Sequence, residues 1–269
     1  MTPLPGHGTP CRGGSRRVLR GLAALGLALA SVAGAGVTAA SAATFSVNPT
    51  QIFLSGRSAS TLLTLRNDST ETLRFEVSAF GWDQGPTGEI QLTPTHDVVF
   101  FPALLSLEPN EERKIRVGSI GGAAAYEQTY RIFVEELPPP AGEGDQTAVR
   151  VLTKMGIPIF VRPGREQASA SLHGLAAGGG AFQFEMTNSG TVHFVPQQLK
   201  VRGLATSGDP VFEEDVSAWY ILAGGRRIFD LSLPQDACAR IASLVVEFGL
   251  GSSVLAETLE TPGGVCGSS

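Results

Sequence analysis

The side chains able to do chemistry are few and dispersed. His7, His96, His173 and His193 each stand alone, with no His-x-x-x-His or His/Cys spacing that would put two ligands on one metal. Neither a Gly-x-Ser-x-Gly elbow nor a Gly-rich phosphate loop is present, and the Ser and Asp residues collect at turns, where they bond their own backbone. No metal, no cofactor and no enzymatic activity are therefore expected; a Ser/His/Asp triad assembled from distant strands is the one catalytic arrangement that spacing leaves open. Asn67-Asp68-Ser69 fits a glycosylation sequon, and its plain reading is a turn.

The N-terminus sets the compartment. Arg12, Arg16, Arg17 and Arg20 form a basic region without an acid, followed by an Ala/Leu/Gly/Val run from Gly21 to Ala40 and the small triplet Ala40-Ser41-Ala42. This pattern predicts a secretory signal peptide over residues 1–42, cleaved after Ala42, and a product with no stable membrane insertion. Cys11 goes with the signal, leaving Cys238 and Cys266 as an even pair that an oxidising compartment could join. The whole chain carries 20 Lys and Arg against 25 Asp and Glu, a net charge of -5. Removing four Arg takes the mature chain to 16 basic residues and a net of -9. Nucleic-acid binding is excluded, because phosphate affinity needs clustered cations.

The elements that must position any site read almost entirely as β. Apolar and polar residues alternate in short runs at 44–54, 59–66, 73–82, 97–107, 113–120, 128–137 and 148–161, separated by Ser55-Gly56, Asn67-Asp68-Ser69, Asp83-Gln84-Gly85-Pro86 and Pro109-Asn110. Seven such strands make an immunoglobulin-like sandwich. Residues 138–145 form a Pro/Gly loop, and no stretch of about ten residues has helical periodicity. After Arg162-Pro163-Gly164 weaker runs recur near 168–173, 181–187, 194–203, 211–221, 226–232, 242–249 and 253–260, with Gly178-Gly179-Gly180 as a hairpin turn. The expected organisation is all-β: a signal peptide (1–42), a first domain (43–163) and a second, smaller β-sandwich (164–269).

One ordered set of phrases rises above this background: Val47-Asn48-Pro49-Thr50, Leu65-Arg66-Asn67-Asp68, Phe80-Gly81-Trp82, Leu107-Glu108-Pro109, the segment from Arg131 to Pro138 (RIFVEELP), and the segment from Ile157 to Pro163 (IPIFVRP). Over residues 44–163 the series resembles the periplasmic pilus-assembly chaperones, the PapD-like family, and within it the divergent branch termed archaic. The resemblance implies two immunoglobulin-like domains set at an angle with a cleft between them, and no enzymatic activity. It implies a periplasmic location, with pilin or coat-type subunits and an outer-membrane usher as partners. Its mechanism is donor-strand complementation: the chaperone lends a strand to a subunit lacking one, so an exposed edge strand with alternating apolar side chains is required. The rival reading is a secreted structural or adhesive β-sandwich protein, whose strands would be self-complementary.

By the same resemblance Val149, Val151, Thr153 and Met155 are the donor residues, on one face of the strand that ends the first domain. Its other face holds Arg150, Leu152 and Lys154, and the register is open by one residue. Many members of the family anchor the subunit's C-terminal carboxylate with an Arg in the first strand and a Lys in the last. The matching positions here are Gln51 and Pro158, neither of them cationic, with Lys154 or Arg150 on the neighbouring stretch as substitutes. The family's inter-domain acid/Arg/acid network maps to Glu136, Arg162 and Asp236, the last of which reads equally well as a solvated turn residue.

Overall fold

The computed structural model describes residues 44–56, 58–122, 124–140, 151–262 and 265–266. Ten strands build a first sandwich. One sheet runs in the order β1 (Phe45–Asn48), β3 (Ser60–Asn67), β8 (Glu112–Ser119), β6 (Val98–Phe101). The facing sheet has the order β2 (Ile52–Leu54), β10 (Lys154–Val161), β9 (Gln128–Leu137), β4 (Leu73–Gln84), β5 (Ile90–Pro94), and β7 (Leu104–Leu107) pairs with the first half of β4.

Alternation places Leu63 and Leu65 of β3, Ile115 and Val117 of β8, Phe75 and Val77 of β4, Ile132 and Val134 of β9, and Ile157 and Ile159 of β10 on the two inner faces, where all are buried. Two expected strands are each two strands. The run 44–54 breaks around Pro49 into β1 and β2, and the run 97–107 breaks around Pro102 into β6 and β7; in each case the halves join opposite sheets. Proline has no N–H to give to a ladder, so the chain crosses between sheets at these positions. β5 carries no buried residue, and its Ile-Gln-Leu-Thr alternation runs for only four residues before Pro94.

The second sandwich packs a three-stranded sheet, β11 (Ala170–Gly178), β12 (Ala181–Asn188), β15 (Arg226–Ser232), on a four-stranded one, β14 (Pro210–Asp215), β13 (Gln197–Leu204), β16 (Ser243–Leu250), β17 (Ser253–Glu260). Phe182, Phe184, Met186, Val201, Leu244, Val246 and Phe248 form its core. Gly179 and Gly180, both at positive φ, turn β11 into β12, a conformation that glycine adopts without a steric penalty. Among the described residues one short helix, α1 (Gln235–Cys238), interrupts the β pattern.

Each sandwich is pinned by one fully buried Asn at a strand end, Asn67 of β3 and Asn188 of β12. Asn67 donates from Nδ2 to the carbonyls of Glu71, Leu107 and Glu108 at 2.7, 3.0 and 3.2 Å, and its Oδ1 accepts from Ser69 N and Oγ. Asn188 donates to the carbonyls of Val192 and Ile221, both at 2.9 Å, and accepts from Gly190 N. The sequon at Asn67 is thus a turn whose amide nitrogen is fully engaged inside the protein.

Cys238 and Cys266 are joined in a disulfide with Cα atoms 5.3 Å apart, closing a loop with a sequence separation of 28. Cys238 also packs in the second core. Closing a loop of that size stabilises by about 3 kcal/mol. The double variant Cys238→Ala/Cys266→Ala is expected to lose about 2–4 kcal/mol, read as a lower urea midpoint, with a larger m-value because the denatured chain without the crosslink is less compact.

Candidate junction site and strand edge

Along β9 and β10 the residues that do not point into the first core are Thr129, Arg131 and Phe133, and Gly156, Pro158 and Phe160. Strand geometry sends these to the opposite face. That face is covered too. Arg131 is 8% exposed and Phe160 fully buried, and Trp82 and Phe160 cluster with Tyr220 and Leu222 of the second sandwich. β9 and β10 are thus buried on both sides where the two sandwiches meet.

The pairing register aligns the site. Pro158 lies opposite Arg131, and Arg131 opposite Phe80. β2 runs parallel to β10 with Ile52 beside Ile159, so Gln51 falls beside Pro158. Gln51, Pro158, Arg131 and Phe80 therefore form one row across four strands, spaced about 4.8 Å apart. Its polar members meet Tyr220. Gln51 Nε2 donates to the Tyr220 hydroxyl. The Arg131 guanidinium lies over both indoles, 4.5 Å from the Trp82 ring centroid and 4.8 Å from that of Trp219. The centroids of the two rings are 5.6 Å apart.

Burial pushes the Tyr220 phenol up, an effect that the positive charge of Arg131 partly offsets. Burial likewise draws the Arg131 guanidinium down, against a smaller raising effect of Tyr220.

A second polar contact ties the sandwiches together. Glu127, just ahead of β9, accepts from the His193 backbone N–H at 2.9 Å through Oε2, and the same oxygen lies 2.5 Å from His193 Nδ1. The carboxylate can only accept, so Nδ1 carries the proton. The His193 ring stacks on Phe160 with centroids 3.8 Å apart, and the Glu127 backbone N–H donates to Thr191 O. The β4–β5 hairpin adds Ile228 N to Pro86 O at 2.7 Å and Leu222 N to Gln84 Oε1 at 3.2 Å.

Several expected placements change. The strand expected over 148–161 is regular only from Lys154; Val149 and Arg150 lie outside the described residues. Met155 packs against the first sandwich's own core, whereas Val151 is 64% exposed and Thr153 half-buried. Lys154 pairs with its cross-strand neighbour Glu135 at 2.7 Å, four residues and about 13 Å along β10 from Pro158, so it is not the cation of that row.

Glu136, Arg162 and Asp236 are not brought together. Val161 lies opposite Gln128, which puts Glu136 eight residues, about 27 Å, from the Arg162 end of the sheet. Glu136 is buried; its backbone N–H donates to Thr153 O at 2.9 Å and its Oε2 accepts from the Thr153 N–H at 3.3 Å. Arg162 pairs with Glu166 at 3.4 Å and lies over Phe53, and Asp236 is an exposed residue of α1. The acid that bridges the sandwiches is Glu127. Glu127, Arg131, His193, Trp219 and Tyr220 escaped the sequence reading. The available signal was Arg131 itself, a charge in mid-strand on a face it shares with Phe133.

Residues 44–166 match the family model for the pili and flagellar-assembly chaperone, PapD N-terminal domain. The chain carries a PapD-like pilus-chaperone N-terminal domain over these residues. Its fold is that of solved family structures: the class 5 fimbriae chaperone CfaA (TM-score 0.55, 15% identity, 80% of this chain and 98% of that one); the CsuC–CsuE chaperone–tip adhesion subunit pre-assembly complex from archaic chaperone-usher Csu pili of Acinetobacter baumannii (0.54, 15%, 80% and 98%); and the Salmonella enterica SafA pilin in complex with the SafB chaperone (0.53, 15%, 82% and 99%). No curated protein matches the chain. Among the described residues no group of His, Cys, Asp and Glu could hold a metal, and no helix is long and apolar enough to cross a membrane.

Two outcomes follow from the junction. Glu127→Ala strands the two buried His193 donors and is expected to cost about 1–3 kcal/mol, measured by urea unfolding. Arg131→Gln removes the charge that favours the Tyr220 phenolate, so Tyr220 should ionise at still higher pH. Absorbance at 295 nm in a Tyr126→Phe/Tyr130→Phe background reads this directly.

Proposed function

We propose that this protein is a periplasmic chaperone that captures a pilus or coat-type subunit by lending it a strand, and delivers that subunit to an outer-membrane usher. The signal-like N-terminus supports export, and the match of residues 44–166 to the chaperones' N-terminal domain supports the role.

One observation carries the mechanism. β9 pairs with the whole of β10, but β2 covers only Ile159–Val161 on the other side. From Lys154 to Pro158 that edge has no strand partner among the described residues. Immediately ahead of it stand Val151 and Leu152, 64% and 43% exposed. An open edge preceded by exposed apolar side chains is a hazard for a protein that must stay monomeric, and proteins blunt such edges unless they use them. Strand addition is the use that fits: backbone groups supply the ladder and alternate side chains fill the partner's pocket. The CsuC and SafB structures, of the same fold, are of chaperones bound to a tip adhesion subunit and to a pilin.

Gly156 supports the same strand. A Cβ there would lie 2.8 Å from the ring of Phe133, its cross-strand neighbour, so only glycine lets this ring lie flat beside the edge.

The test is co-expression with a small secreted subunit encoded in an adjacent reading frame. Val151→Asp/Thr153→Asp is expected to reduce co-purification at least about a hundredfold, because an unpaired carboxylate buried in the subunit's groove costs several kcal/mol. The circular dichroism of the free chaperone should not change, as Val151 is exposed and Thr153 bonds Glu136 through its backbone alone. Undiminished capture by this variant counts against the proposal. A wild-type chain that polymerises alone and binds no subunit would point to the self-complementary reading.

A further inference from the structure

Along the open stretch Lys154–Pro158 the two faces of β10 offer a partner different things. Met155 and Ile157 pack into the first sandwich's own core and have nothing to give. On the outer face stand Lys154, Gly156 and Pro158, successive members about 6.8 Å apart. The middle one has no side chain. A Cβ at Gly156 would lie 2.8, 3.2 and 3.6 Å from Cε1, Cδ1 and Cζ of Phe133, so one side of that ring already fills the space over the glycine. Phe133 is only half-buried. Phe80 meets it edge-on from β4, with centroids 5.9 Å apart and planes at 71°. The Lys154 ammonium lies 5.0 Å from the Phe133 centroid and is held by Glu135 at 2.7 Å, so its charge is already matched.

A glycine weakens an edge strand, and a cross-strand aromatic ring laid over it is one way of repairing the loss. Repair accounts for Phe133 lying over Gly156, but it also brings a half-buried ring from the inner strand β9 to an edge with no strand partner. A residue of an added strand in register with Gly156 stands about 4.8 Å away, with its side chain on the same outer face whichever way that strand runs. Lys154 and Pro158 wall the space on either side, and any side chain at position 156 would fill it. We infer that Gly156 and Phe133 form a subsite that takes an aromatic side chain from the added strand, at the residue paired beside Gly156. A second ring there lies within the range of centroid separations at which aromatic pairs attract, and its face meets the positive edge of Phe133. An aliphatic side chain gains burial alone, and Thr leaves the ring uncovered. The lent side chains enter the partner, whereas here one side chain of the partner enters the chaperone. This inference rests on the reading of β10 as the strand-adding edge.

The mature protein is titrated into three fluorescein-labelled, C-amidated heptapeptides, Val-Thr-Val-Xaa-Val-Thr-Val with Phe, Leu or Thr at the central position, and binding is read as fluorescence anisotropy. The Phe peptide is expected to bind about three- to tenfold tighter than the Leu peptide, the range of an aromatic pair beyond its buried area. In Phe133→Leu this preference should vanish. In Gly156→Ala the new Cβ displaces the ring, and the preference should fall while the Thr peptide binds much as before. A purely structural role for Phe133 or Gly156 would weaken all three peptides together and leave their ratios unchanged; circular dichroism confirms that each variant is folded.

Equal binding of the Phe and Leu peptides by the wild type, retention of the preference in Phe133→Leu, or no binding of any peptide at millimolar concentration would each overturn the assignment. Subunit capture that is lost in Val151→Asp/Thr153→Asp, together with no aromatic preference here, would remove the subsite and leave the chaperone reading standing. An aromatic preference without subunit capture would do the reverse.

Discussion

The packing of the second sandwich on the outer face of β9 and β10 is the constraint on which the other features depend. A sheet in a lone sandwich has one buried face, and the outer residues of its strands are free to be polar. Here Trp82 and Phe160 must be covered, and Tyr220, Leu222 and His193 cover them. Covering apolar area is non-directional by itself. The direction comes from the hydrogen bonds: Glu127 takes two bonds from His193, and Gln51 gives one to Tyr220. Each would leave buried polar atoms unpaired if the second sandwich were rotated away, and the low dielectric of the aromatic surroundings raises that cost.

The architecture was legible wherever one face of a strand was dry and the other wet. β9 was read to the residue, because its inner positions Tyr130, Ile132, Val134 and Glu136 alternate with half-buried ones over most of its length. The readings that failed did so for two separate reasons. Pro49 and Pro102 sit inside apolar runs that look continuous, yet the chain changes sheets there, and a pattern of side chains carries no information about which ladder the backbone joins. β5 is a hairpin partner with both faces exposed, and its apolar/polar alternation, Ile90 to Thr93, is too short to stand out from a loop.

The site was less legible, since it is made of residues up to 169 positions apart whose convergence depends on the packing of one sandwich on the other. Family resemblance located the row through Gln51 and Pro158 but could not show what stands beside it. Glu136 was chosen for its place before Leu137-Pro138. The antiparallel register of β9 and β10 sends that end of the strand toward Thr153, and the opposite end, with Glu127 and Arg131, toward the second sandwich. Register is set by alternation against the core. Which end of a strand lies near another domain is set by topology, and the sequence pattern does not encode it.

The position of the cation on an inner strand has physical consequences of its own. A Lys or Arg on the edge strand could swing into solvent and keep its side-chain entropy. Arg131 is already held by two indole faces and by neighbouring strands on both sides, so much of that entropy is lost on folding. Holding a guanidinium there without an anion is unfavourable: its Nε has given up water without gaining a partner. The two indoles offset part of this through cation–π attraction, which strengthens as the cation is desolvated. The aromatic cluster thus both fixes the junction and makes it tolerable for the junction to contain a positive charge. With Pro158 closing the ladder at the same row, the end of the strand edge and the charge coincide in space although they come from different strands.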